Sequence, residues 1–169
     1  MPPGISIALS GSPGTGKTSV AEHAKLCGWK VVTVEELAHD NGLLGEFDIE
    51  EQAKEIDIDK LRHVLGPIEG PLIIDGHLSH HLQVDAIVIL RCEPSILRKR
   101  LHERGYPEWK IESNVEWEII GSSWPEIENG NISEFETTFA EEDLVWSRIE
   151  EWIEAGYPSI VPTVDWMED

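Results

Sequence analysis

Eight residues, GSPGTGKT from Gly11 to Thr18, fit the pattern G-x-x-x-x-G-K-[ST] at each fixed position. The chemistry of phosphate binding explains that spacing. Gly11, Gly14 and Gly16 let the backbone wrap tightly enough to aim its N–H groups at phosphate oxygens. A helix starting at Lys17 adds the positive end of its dipole. The Lys17 ammonium can reach the β- and γ-phosphates, and the Thr18 hydroxyl can ligate Mg²⁺. An accidental glycine-rich turn is the plainer alternative. Context disfavours it, because an apolar run precedes the motif and a helix-forming run follows it. The expectation is a site for ATP with Mg²⁺.

Such a magnesium site needs a second carboxylate at the end of a nearby apolar strand. The run PLIID supplies Asp75, which could otherwise be a turn-capping residue before Gly76. His77 follows in the stretch DGHLSHHL. Near a triphosphate it could position a water or the accepting phosphate, or move a proton; alternatively it only hydrogen-bonds the loop. His80 and His81 stay unassigned. A zinc site built from His77, His80 and His81 is not expected, since no further Cys or His lies at a usual ligand spacing.

Arg62, Arg91, Arg98, Arg100, Arg104 and Arg148 are the chain's arginines, and four of them fall between 91 and 104. Arg100 and Arg104 lie one helical turn apart, and Arg104 precedes the bend GYP. An arginine at that edge can fold over a triphosphate and stabilise transferring charge. Arg100 reads as part of a solvated helix face.

These residues need a scaffold, and the segments alternate as an α/β domain requires. ISIAL (5–9), KVVTV (30–34), PLIID (71–75) and AIVILRC (86–92) read as strands, the last two apolar enough for a parallel sheet covered on both faces. Helical runs follow at KTSVAEHAKLCG, EELAHDNG, DKLRHVLG, EPSILRKRLHERG and YPEWKIESNVEWEIIG. NISEFETT (131–138) suits a last strand and EEDLVWSRIEEWIEAG an acidic amphipathic helix. Residues 45–58 read as acidic and irregular, and 157–169 as an extended tail. Trp117 and Trp124 are assigned to the core.

A length of 169 residues suits one domain, spanning 1–169. No run approaches the length of a membrane span, and the N-terminus lacks the look of a signal peptide. Cys27 and Cys92 match no metal or redox spacing and read as reduced thiols of a cytoplasmic protein. The net charge of −20 disfavours nucleic acid and favours a basic partner, or else serves solubility or a salty cytoplasm.

The combination of GSPGTGKT, IIDGH, ILRC, RLHERGY with KIESNVEWEI, and FETT resembles the adenylate kinase isoenzyme 6 family and its archaeal relatives, from Ile5 to about Trp152. The resemblance implies a P-loop NTPase of the nucleoside-monophosphate-kinase-like kind, with a mainly parallel sheet flanked by helices and a short lid. It implies broad-specificity phosphoryl transfer from ATP, with AMP preferred, and an additional ATPase activity. It further implies a part in maturation of 16S-type rRNA and the small ribosomal subunit. There such proteins bind a basic protein, universal small-subunit protein eleven, in transient contact with the pre-ribosomal subunit. By position, Gly14, Thr15, Gly16, Lys17, Thr18 and Ser19 match the nucleotide-binding loop, Asp75 and His77 the second motif, and Arg104 a lid arginine. The lid would span about 103–113 and the acceptor-binding region about 33–56.

One departure stands out. After Thr18 and up to residue 56 the lysines are Lys25, Lys30 and Lys54, with no arginine, and His39 stands where some relatives have one. Glu35, Glu36, Glu46, Glu50, Glu51 and Glu55 crowd the same region. That balance favours ATP hydrolysis and a surface for a basic protein over clamping of an anionic acceptor.

Overall fold

The computed structural model describes residues 2–49 and 53–167, with Ala53 described by its backbone alone. Glu50 and Glu51 of the acceptor region therefore lie outside the described residues. Five strands form a parallel sheet: β1 (Ser6–Gly11), β2 (Val31–Thr33), β5 (Leu72–Asp75), β6 (Ala86–Arg91) and β7 (Ile132–Glu136), in the order β2-β5-β1-β6-β7. Strands β3 (Leu44–Asp48) and β4 (Ala53–Ile56) pair with each other in an antiparallel hairpin. The helices are α1 (Lys17–Leu26), α2 (Val34–Asp40), α3 (Ile58–Leu65), α4 (Pro94–Glu103), α5 (Glu108–Ile119) and α6 (Glu142–Glu154).

Period-two alternation explains the apolar strand runs. Ile7, Leu9, Val88 and Leu90 face α1 and α6, where Trp29 meets Trp146 edge-to-face at 6.0 Å. Ala8, Ile87 and Ile89 face the opposite way, packing with Ile132. Both faces are covered, so these strands are mostly apolar, and their buried polar residues near the strand ends, Ser10 and Arg91, are hydrogen-bonded. A second cluster around Leu61 and Ile74 holds α2 and α3, and a third around Leu97, Leu101 and Ile111 holds α4 to α5.

Two expectations are corrected, and one, on the tail, is sharpened. Residues 45–58 are not irregular: most of them form the β3–β4 hairpin and the entry to α3, which Asp57 caps by accepting from the Lys60 N–H at 3.1 Å. Acidic side chains obscured the strands because the hairpin lies off the main sheet and its residues, Gly45 to Phe47 among them, are exposed. The tail from Tyr157 has no regular structure, but it is held against the body. Ile160 N–H bonds the Ile132 carbonyl on the outer edge of β7 at 2.9 Å, and Trp166 reaches α5. Trp117 and Trp124 are half-buried rather than core, and Trp124 Nε1 donates to Glu134 at 2.6 Å. Among the described residues no helix is long and apolar enough to cross a membrane.

Candidate active site

The parallel register brings the two motifs together. Leu9 of β1 and Thr33 of β2 both pair with Asp75 at the carboxyl end of β5. The loop of residues 11–16 leaves β1 two residues beyond Leu9, so loop and carboxylate meet at the crevice where ligands of such sheets bind. Gly14 and Gly16 have φ of 89° and 101°, a left-handed region that side chains rarely adopt. A Cβ at Gly14 would also press Leu97 and Leu101 at 3.0 Å.

Four of the loop's carbonyls accept hydrogen bonds from side chains. Lys17 Nζ donates to Gly11 at 2.8 Å and Ser12 at 2.9 Å. Arg100 Nη1 donates to the Gly14 carbonyl at 3.2 Å, and Thr137 Oγ1 to the Thr15 carbonyl at 2.6 Å. Carbonyls held this way are kept from turning toward an anion, which favours a cradle of N–H donors at the start of α1. Arg100 is thus no solvated face residue. Its Nη2 also donates to the carbonyls of Thr137 and Thr138, at 2.9 and 3.2 Å, tying the loop to the end of β7.

Thr18 Oγ1 lies 3.5 Å from Asp75 Oδ2. An octahedral Mg²⁺ at about 2.1 Å sets neighbouring oxygens roughly 3 Å apart, so a small approach of these two fits the ion. Burial pushes the Asp75 carboxyl up from its ordinary value, and the Lys17 ammonium opposes the rise. Burial pushes Lys17 down to about 8, with Asp75 opposing and Arg104 adding to the fall. Both shifts reflect charges held out of water that an anion and a cation would compensate.

His77 stands beside Asp75 in a cleft of about 460 Å³, lined also by Thr33, Phe47 and Lys54. His77 is exposed to solvent, yet crowding by neighbouring groups, then the Lys17 charge, pushes its imidazole below its ordinary value, which favours the uncharged form at neutral pH. On the other side of the loop, Gly14, Thr15, Gly16, Ser19, Arg100 and Arg104 line a cleft of about 320 Å³. The phosphate loop therefore lies between two openings. Lys54, the cation of the His77 cleft, faces Glu35 at 3.7 Å.

Sequence reasoning missed the buried ion cluster behind the loop. Arg91 Nε donates to Glu118 at 2.8 Å and Nη1 to Glu134 at 3.1 Å, while Ser12 Oγ donates to Glu118 at 2.7 Å. Glu118 was hidden because its neighbours on α5 look like one more acidic amphipathic helix. Burial raises the Glu134 carboxyl, but donors from Val164, Thr163, Trp124 and Arg91 outweigh it and hold it below the usual range.

A family described as an AAA domain matches residues 7–121. A "Putative adenylate kinase" of Thermococcus kodakarensis is 37% identical over 167 residues, covering 96% of this chain and 93% of that one. The protein of the same name from Natronomonas pharaonis is 33% identical over 166 residues, covering 96% and 98%. The chain belongs to this adenylate kinase family. Solved kinases share its fold: shikimate kinase of Acinetobacter baumannii aligns with a TM-score of 0.65 at 16% identity, covering 92% of this chain and 96% of that one. Deoxyadenosine kinase of M. mycoides aligns with a TM-score of 0.56 at 13% identity, covering 89% and 98%. These likenesses support the P-loop, nucleoside-monophosphate-kinase-like fold, and family membership agrees with the resemblance read from the motifs.

Proposed function

We propose that this member of the adenylate kinase family transfers phosphoryl groups from Mg-ATP to nucleoside monophosphates, AMP foremost, and hydrolyses ATP when no acceptor is bound. The observation that carries this reading is the phosphate loop between two clefts, one bordered by Arg104 and the other by Asp75 and His77. Two reactants can then meet across Lys17. Gly14, Thr15, Gly16 and Ser19 hold the triphosphate, Lys17 neutralises it, and Arg104 closes over it from a lid at about 103–113. Thr18 and Asp75 hold Mg²⁺, which when bound supplies neutralisation of charge on the phosphates. His77, uncharged at neutral pH, orients the acceptor oxygen or an attacking water. The acceptor lies along the region of about 33–56.

The acidic lining of that region favours a second role. Glu35 already occupies Lys54, so the acceptor cleft offers an anion little free positive charge. ATP hydrolysis that switches the grip on a basic protein fits this balance. We assign that role, by resemblance, to binding of universal small-subunit protein eleven during maturation of the small ribosomal subunit in the cytoplasm. The tail at 157–169 stays within the single domain.

Product analysis with Mg-ATP, with and without AMP, separates the roles. ADP should form faster with AMP and in the ratio of two per ATP consumed. Equal rates with release of free phosphate would reject the kinase reading and leave the ATPase. His77→Ala should slow hydrolysis while leaving ATP affinity near that of the parent; equal loss of both would make His77 structural.

A further inference from the structure

His80 and His81 are not loop ornaments. They occupy a single 3-10 turn, Ser79–His81, and a second such turn, Trp124–Glu126, brings Glu126 against them. His80 Nε2 lies 3.0 Å and His81 Nε2 3.9 Å from the same oxygen, Glu126 Oε1. The three ligand atoms all fall within 4.8 Å of one another. The two imidazoles stack with centroids 4.1 Å apart, tilted by 38°.

The surroundings resemble a prepared ligand shell. The His80 side chain is wholly buried, and its other nitrogen, Nδ1, is 2.8 Å from Ser10 Oγ. Ser10 in turn lies 2.8 Å from Ser123 Oγ and 3.4 Å from the His77 carbonyl. A metal-bound Nε2 requires the proton on Nδ1, and Ser10 can accept it while donating onward to either neighbour. A hydrogen bond of this kind, on the far side of a ligating imidazole, fixes its tautomer and direction. Glu126 and His81 are by contrast partly exposed, at 40% and 24%, and border an open cleft of about 730 Å³. One ligand is held from behind, and the other two stand at the cleft edge.

We propose that His80 Nε2, His81 Nε2 and Glu126 Oε1 form a site for a zinc-class divalent transition metal ion, with its fourth position open to that cleft. Two imidazoles and one carboxylate are a zinc-type donor set, whereas Mg²⁺ prefers oxygen alone. Tetrahedral coordination at about 2.0 Å sets ligand atoms roughly 3.3 Å apart, between the two distances from Glu126. His77 takes no part. A bound ion would brace both turns against Ser10, the residue that leads β1 into the phosphate loop. The site stands apart from the proposed kinase chemistry and does not depend on it.

Metal-stripped full-length protein, free of nucleotide, is titrated with Co²⁺ and then Zn²⁺. One equivalent of Co²⁺ should give the strong visible absorption of four-coordinate cobalt, be displaced by Zn²⁺, and persist in excess Mg²⁺. His81→Ala and Glu126→Gln should each weaken binding by about 10-fold or more while circular dichroism shows an intact fold. Lys17→Ala should bind Co²⁺ as the parent does. Absence of a saturable signal in the parent overturns the proposal. So does affinity that survives both substitutions, or competition by Mg²⁺.

Discussion

At the residue scale, Lys17 shows how burial converts to measurable chemistry. Its ammonium is pushed down to about 8 without phosphate beside it. The sign follows directly: the unfolded chain binds this proton up to its ordinary value near 10.5. Stability of the nucleotide-free protein should therefore rise with pH between those two values as far as Lys17 contributes. ATP phosphates favour the charged form and reverse the shift. ATP binding at pH 9 should then take up about one proton, and at pH 7 almost none from this group. Calorimetry in two buffers of different ionisation enthalpy measures it; uptake that is equal at both pH values would refute the assignment. Lys17→Ala should abolish turnover with either product.

Arg100 works at the scale of elements. Three carbonyls, on the phosphate loop and on the segment after β7, converge on one guanidinium. Arg100→Ala should cost about 1–3 kcal/mol of stability, since buried acceptors lose a charged donor. It should weaken ATP binding as the Gly14 carbonyl is released, and Arg100→Lys should not restore it, because an ammonium lacks the fork. Thermal melts and ATP titration check both. The tail acts in the same way on Glu134 and Glu118. Thr163 N–H and Val164 N–H donate to Glu134 at 2.7 and 2.6 Å, and Trp166 Nε1 to Glu118 at 3.0 Å. A chain ended at Gly156 should lose about 3 kcal/mol at pH 7, from hydrogen bonds to charged groups. Glu134 is held below its ordinary value, so this stabilisation is present above the unfolded value near 4.5 and fades as pH falls through the folded one. Denaturation of both chains across pH 3–7 tests it: a gap that stays constant with pH would mean the tail acts by packing alone.

For the whole molecule the dominant quantity is the charge of −20. Self-repulsion of that size opposes the compact state, and salt screens it as the Debye length shrinks from about 10 Å at 0.1 M to 3 Å at 1 M. The melting temperature should rise over that range, while binding of a basic protein partner should weaken. A partner whose affinity ignores salt would not be held by charge.

The sequence by itself determined the parts whose signal is local. The loop from Gly11 to Thr18 was legible because phosphate binding needs fixed residue types at fixed spacing. The buried strands were legible because both faces are covered, which leaves unbroken apolar runs such as AIVIL. Asp75 was legible as the residue closing one of them, and Arg104 as an edge beside a bend. Tertiary structure alone decided the rest. Only the strand order sets Asp75 beside Thr18, and only folding brings Arg100 under the phosphate loop. Arg91, Glu118 and Glu134 are ordinary charges in the sequence, 27 and 43 positions apart from Arg91 to its two partners, and become one buried cluster in space. DGHLSHHL showed His80 and His81 but not the carboxylate that meets them, because Glu126 lies 46 positions after His80 and joins it through a separate turn. Short-range pattern records the period of an element; it carries no record of which distant side chain will stand across a crevice.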